Sequence, residues 1–199
     1  MTTTRVLIAG LLGGVAMFIW SAIAHMFLPL GEVGVSEIPN EPAVLSAMQA
    51  NMGTQAGFYI FPGTGLGKSA SKQEREEAMR RMAADYSNHS SGILVYHPPG
   101  QSFTFSKYLG IEFLAEVLES IVAVFLLAQT RLAGFGARVG FVTAAGFLAA
   151  FATNISYWNW YGFPTDYTAT YMFTQVVSFL CAGLVIGLVL KNVPPRPMV

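Results

Sequence analysis

Three carboxylates, Glu112, Glu116 and Glu119, interrupt an otherwise apolar run, YLGIEFLAEVLESIVAVFLLAQ over residues 108–129, with Lys107 before it and Arg131 after it. Spacings of four and three put all three acids on one face of a helix, where at ~1.5 Å per residue they cover ~10 Å of its length. In a bilayer core an ionisable side chain costs at least ~2.5–3.5 kcal/mol, so such a stripe must face protein or water rather than lipid. Two chemistries follow. The stripe is either a binding or proton-handling site, with His25 near the end of the first apolar run as its cationic partner, or a polar seam that joins helices. No Lys or Arg falls at that depth, and like charges this close disfavour one another, so Glu119, the deepest of the three, is expected to carry a proton.

A metal is the third chemistry to weigh. His25, Glu112 and Glu116, helped by His89 or His97, would offer the carboxylate and imidazole donors that suit iron, manganese or zinc. Di-metal helix bundles place a Glu-x-x-His pair on their helices, and no apolar run here contains one. Haem would want facing histidines, and only His25 lies in an apolar run. The sequence assigns no cofactor.

The elements that must position these residues are helices in a membrane. The chain has 199 residues, 53% hydrophobic and 11% charged, against about 25% charged in a soluble domain. Its formal net charge is zero, which gives nucleic acid no electrostatic foothold. The single cysteine, Cys181, excludes a disulfide framework and a thiolate zinc site. Runs at residues 6–28, 108–129, 139–157 and 168–190 approach or exceed the ~20 residues that cross ~30 Å of hydrocarbon. Ala22-Ile23-Ala24 imitates a signal-peptide cleavage site, but the first run continues beyond it to Leu30, longer than a signal core, and reads as a span.

Short-loop charges set the orientation. Arg5, Arg131, Arg138, Lys191 and Arg196 place both termini in the cytoplasm, and the connection 158–167, with no Lys or Arg, lies outside. The division expected is a span in residues 1–30, an extracytoplasmic segment 31–106, and three further spans in 107–199. The aromatics Trp158, Trp160, Tyr161, Phe163, Tyr167 and Tyr171 form an interfacial belt on the outer side.

Residues 31–106 are too many for a structureless loop. Asn40 is placed to cap a helix over 41–52 with Pro42 in its first turn, and Ser71 with Glu74 forms a capping box for a helix over 72–86. Residues 57–61, GFYIF, and 92–97, GILVYH, read as strands. A small α+β cap over the mouth of the bundle is expected. The stretch Gly63-Thr64-Gly65-Leu66-Gly67-Lys68-Ser69 is one residue short of a phosphate-binding loop and reads as a flexible turn.

Small and polar residues separate by depth. Gly10 with Gly14, Gly136 with Gly140, and Gly183 with Gly187 make three GxxxG pairs in the cytoplasmic half, expected to pack the helices closely there. His25, the glutamates, Asn154, Ser156, Thr170, Thr174, Gln175 and Ser178 fall in the outer half, which predicts a bundle pinched inside and open outside.

Four stretches resemble a small bacterial family of four-helix membrane proteins with no assigned activity: HMFLPLGE from His25, IPNE from Ile38, GFYIFPG from Gly57 and GILVYHP from Gly92. The resemblance implies a bacterial inner-membrane origin and carries over no functional residue. The reading is therefore an all-α membrane protein, a four-span bundle with an α+β cap between spans one and two. Its leading function is a non-catalytic accessory or structural subunit of a larger membrane complex or homo-oligomer, in contact with the lipid bilayer. The alternative is a small-molecule, metal or proton-handling crevice lined by Glu112, Glu116, Glu119 and His25, with Asn154 and Gln175 as further candidates.

Overall fold

A computed structural model describes residues 2–194. In chain order the elements are α1 (Thr3–Met26), a 3₁₀ turn (Leu30–Glu32), α2 (Glu41–Met52), β1 (Gly57–Phe61), α3 (Lys72–Asp85), β2 (Gly92–Tyr96), α4 (Phe105–Ala128), α5 (Phe135–Tyr161) and α6 (Thr165–Val189). Packing divides them into two units, residues 1–36 with 104–199, and residues 37–103. Arg196, counted in the charge asymmetry, lies outside the described residues.

The first unit is a bundle of α1, α4, α5 and α6. Three of these, α1, α5 and α6, are long and apolar enough to cross a membrane. Helix α4 is as long as α1, but its three glutamates fall within eight residues, so composition alone does not make it a span. The outward faces are apolar, with Leu11, Ile19, Leu148, Phe151 and Leu188 all exposed, the reverse of a soluble bundle. Helix α1 packs on α4 and α6, and α6 packs on α5. Neighbours run antiparallel, since Gly10 meets Ile121 while Phe18 meets Phe113, and Gly187 meets Phe135 while Gly146 meets Phe179.

One half of the bundle is closed. At Gly10 an added Cβ would stand 2.6 Å from Ile121 Cγ1, and at Gly14 it would meet the Val117 backbone. Gly183 and Gly187 do the same work for α6 against Val139, Val142 and Phe135 of α5. Met17, Val124, Leu127, Val142, Ile186 and Leu190 fill the space between. In lipid, where burying an apolar group gains nothing over contact with acyl chains, such close approach is what holds helices together. The third glycine pair behaves differently. Gly136 and Gly140 are exposed, and an added Cβ at either meets nothing within 4 Å among the described residues. Their expected place in a seam of this chain is corrected: α5 turns that face outward and uses Gly146, against Phe179, instead.

Helix α5 also runs further than its apolar stretch. It continues through Trp158 and Trp160 to Tyr161, where Gly162 adopts a left-handed conformation (φ 69°) that ends it, so the connection to α6 is only residues 162–164.

In residues 37–103, β1 and β2 pair antiparallel from Gly57 opposite Tyr96 to Phe61 opposite Gly92. Only Ala78 and Tyr96 are buried there, and the Tyr96 hydroxyl donates to the Gly53 carbonyl at 3.1 Å. Asn40 precedes α2 without capping it through its side chain. Its backbone is left-handed (φ 52°), and it is the carbonyl that receives the Ala43 and Val44 amides. The turn at 63–69 is tied to α3 by Arg75, which donates to the carbonyls of Lys68 and Ala70.

The capping box on α3 is complete: the Glu74 amide donates to Ser71 Oγ, and the Ser71 amide donates to the Glu74 carboxylate at 2.7 Å. Hydrogen bonds from the Ser71 hydroxyl and then its backbone hold the Glu74 carboxyl below the usual carboxylate range. A carboxylate whose pKa falls on folding contributes stability above its unfolded pKa and loses it as pH falls through the folded one. The first turn of α3 should therefore lose amide-exchange protection as pH drops below about 4.3, the ordinary glutamate value. Glu74→Gln should remove that acid-side loss. Equal protection of this turn at neutral and acid pH in the unsubstituted chain would contradict the assignment.

Candidate functional site

Away from the glycine seam the helices leave room, and the acidic stripe lines it. Met17, Ser21 and His25 recur at every fourth residue of α1 and so share one face. Facing them are Glu112, Ala115, Glu116 and Glu119 of α4, and Tyr171, Thr174, Gln175, Ser178 and Phe179 of α6. Together they enclose a cavity of about 110 Å³. Phe18 and Phe113, edge to face at 5.3 Å, wedge α1 and α4 at this level, and the Trp20 indole donates to the Thr174 carbonyl at 2.9 Å, fixing α1 against α6.

Glu116 is the centre of the site. It is 6% exposed, and one carboxylate oxygen accepts the Ser21 hydroxyl at 2.5 Å. Its other oxygen is buried with no hydrogen-bond partner among the described residues. Across the cavity, the hydroxyl of Ser178, a residue 5% exposed, is likewise unpartnered. Glu112 and Glu119 are exposed at the rim. Burial within the stripe is greatest at Glu116, not at Glu119. Glu119 lies deeper along the helix, but it is Glu116 that α4 turns toward α1, so burial falls on Glu116.

His25 and Gln175 join the three acids in this wall, and Asn154 does not. The Asn154 amide donates to the Ala150 carbonyl at 2.9 Å and to Gln175 Oε1 at 3.3 Å, which puts it in the α5–α6 seam with Gln175 as the link to the cavity. The metal reading is corrected as well. Among the described residues no three His, Cys, Asp or Glu side chains come together as a metal-holding group, so His25, Glu112 and Glu116 share a wall without converging on one point. Sequence reasoning passed over Ser21 and gave Tyr171 to the interfacial belt. The signal for Ser21 was its place one turn before His25.

The cavity continues toward the 3₁₀ turn. A second space of about 90 Å³ shares His25, Tyr171 and Thr174 with it and is bounded by Leu30, Gly31 and Tyr167. His25 packs its ring on Gly31 there, at the 3₁₀ turn. Rings of Tyr157, Phe163, Tyr167 and Tyr171 follow one another at 5.4–5.9 Å from the end of α5 to the cavity wall. In the other direction Met17 and Phe179 form a floor, and the apolar core lies beneath.

This arrangement favours positive charge. A carboxylate taken out of water without a partner is costly, and no Lys or Arg lines the cavity to neutralise it. At ~30 Å³ per molecule the space holds three or four waters, well below the ~300 Å³ of a typical small-molecule pocket. Comparison with protein-family models, with curated proteins and with solved structures gives no match for this chain.

Proposed function

We propose that this chain is a four-span protein of a bacterial cytoplasmic membrane that takes up a positive charge, as a proton or a small cation, in the Glu116 cavity. Charge enters from the His25 end and is held rather than passed across. The observation that carries the reading is the buried Glu116 carboxylate, with one oxygen on Ser21 and the other unpartnered among the described residues, in a cavity lined by no Lys or Arg.

Support for α4 as the fourth span is its lipid-like outer surface, where Leu109, Leu114, Leu118 and Phe125 are all exposed. Arg5, Arg131 and Lys191 stand at the closed end of the bundle, while the connection 162–164 at the open end carries no basic residue. By the positive-inside rule the closed end and both termini are cytoplasmic, and residues 31–106 are extracytoplasmic.

The test is thermal melting of the full-length protein in nanodiscs as pH and monovalent salt are varied at constant ionic strength. The melting temperature should depend on one of these variables, and Glu116→Gln should flatten that dependence. Glu112→Gln and Glu119→Gln, at the rim, should change it less. Superimposed curves for Glu116→Gln and the unsubstituted chain would overturn the reading.

A second reading, an accessory subunit within a larger complex or homo-oligomer, is favoured by one observation. Gly136 and Gly140 offer a small-residue seam that no described residue fills, the kind of surface a partner helix packs on. Native mass spectrometry of gently extracted protein would reveal subunits at fixed stoichiometry, lost in Gly136→Leu. A monomer throughout would dispose of it.

A further inference from the structure

Resting on the cation-handling reading of the cavity, we infer that its ligand is a small primary alkylammonium ion, with methylammonium as the simplest member of the class. Two unpartnered groups on different helices point to a ligand between them: Glu116 of α4 and Ser178 of α6, both more than nine-tenths buried and both in the cavity wall. Two neighbours in the wall, Ser21 and Thr174, present acceptors as well, beside His25, Tyr171 and Gln175, which can also donate. The Ser21 hydroxyl gives its proton to Glu116 and the Thr174 hydroxyl gives its proton to the Thr170 carbonyl, so each presents lone pairs and no free donor. A ligand that satisfies the oxygens of Glu116, Ser178, Ser21 and Thr174 together brings several donors and a positive charge. An ammonium group has three N–H bonds that fan out to separate acceptors, whereas a neutral water brings two and no charge.

The same wall argues against a metal ion. Hard cations gather about six oxygens around one point. Here no three acidic or imidazole groups converge among the described residues, and Met17, Ala115 and Phe179 supply an apolar floor with no oxygen to offer. That floor suits a methyl or ethyl group. Tyr171 adds an aromatic ring to the wall, and aromatic faces attract ammonium ions. Methylammonium has two heavy atoms, about two waters' worth of volume or ~60 Å³, and fits the cavity where a drug-sized amine does not.

The experiment is isothermal titration calorimetry on the full-length protein in nanodiscs, at fixed neutral pH and ionic strength. The probes are methylammonium chloride, sodium chloride and tetramethylammonium chloride. Methylammonium should bind one per chain. Ser178→Ala should weaken it about tenfold, the effect of removing one acceptor for a charged donor. Glu116→Gln should abolish it with helical content unchanged by circular dichroism; if that variant does not fold, Ser178→Ala carries the test. Equal binding of tetramethylammonium, which has no N–H, would overturn the inference. So would sodium binding as well as methylammonium, or methylammonium binding unchanged in Ser178→Ala. Absence of heat from every probe would overturn it too. In that case the broader reading still stands if melting depends on pH in a way Glu116→Gln flattens, and falls with it otherwise.

Discussion

Arg138→Ala is expected to lower stability by about 4 kcal/mol, from the loss of several charge-assisted hydrogen bonds at once. Arg138 is fully buried, with 0% of its surface accessible. Its Nε donates to the Leu132 carbonyl at 3.0 Å, one terminal nitrogen donates to the Leu190 carbonyl and the other to the Val193 carbonyl at 2.6 Å. These carbonyls lie in the turn before α5 and just past the end of α6, where a helix leaves its last acceptors without internal partners and gathers partial negative charge. One guanidinium thus ties α5 to the turn before it and to the chain after α6 with its rigid fork, and alanine would strip the Leu132 and Val193 carbonyls of this partner around a void, leaving the Leu190 carbonyl only the Val193 amide. For a chain of this size each kcal/mol moves the melting temperature by about 2–4 °C, so a fall of roughly 10 °C is expected. Arg138→Lys should recover only part of it, since an ammonium is a point donor and not a fork. Loss of less than about 1 kcal/mol in Arg138→Ala, the effect of an ordinary surface substitution, would contradict this role.

The second large effect is steric. Gly14→Leu should cost about 3 kcal/mol or more, because an added side chain has no room to turn into. The first carbon alone would collide with the Val117 backbone and come within 2.8 Å of Val117 Cγ2, so α1 and α4 must part. Separation there also pulls Ser21 from Glu116, which links the closed half of the bundle to the site above it. Gly136→Leu is the control, since nothing stands within 4 Å of its Cβ position among the described residues. It should stay within about 0.5 kcal/mol in dissociated protein. Thermal melts of the two variants in the same detergent decide the matter. Equal destabilisation by both would mean that the close contact at Gly14 does not set the cost, since helix propensity by itself favours leucine over glycine.

The contrast between those two glycines also marks what sequence can tell. A GxxxG pair reports that a helix could be approached closely, but not which side the neighbour takes, and Gly136 and Gly140 face away from this bundle. The same limit left open which acid of the stripe is buried, and it is Glu116. Spacing put three acids on one face, and the rotation that buries only one of them is set by where α1 settles through Gly10, Gly13 and Gly14. Asn154 was legible as polar and deep, yet its partner, Gln175, stands across the α5–α6 seam and draws it out of the cavity. Local signals fared better. The apolar runs mark α1, α4, α5 and α6 to within about a turn at their ends, and residues 57–61 and 92–96 pair as strands. The Ser71–Glu74 box depends only on residues three apart and stands as read. Helix α5 outran its apolar stretch because Trp158, Asn159 and Trp160 carry helix as readily as interface, and only Gly162 stops it.

The most direct measurement on the site is an infrared difference spectrum between acidic and alkaline buffer, recorded on the full-length protein in nanodiscs with and without Glu116→Gln. A carboxyl C=O band should change between the two buffers in the unsubstituted chain and be missing in Glu116→Gln, while Glu112→Gln and Glu119→Gln retain it. A spectrum that Glu116→Gln leaves unaltered would mean that this buried carboxylate neither gains nor loses charge, and the cavity would then be a structural seam.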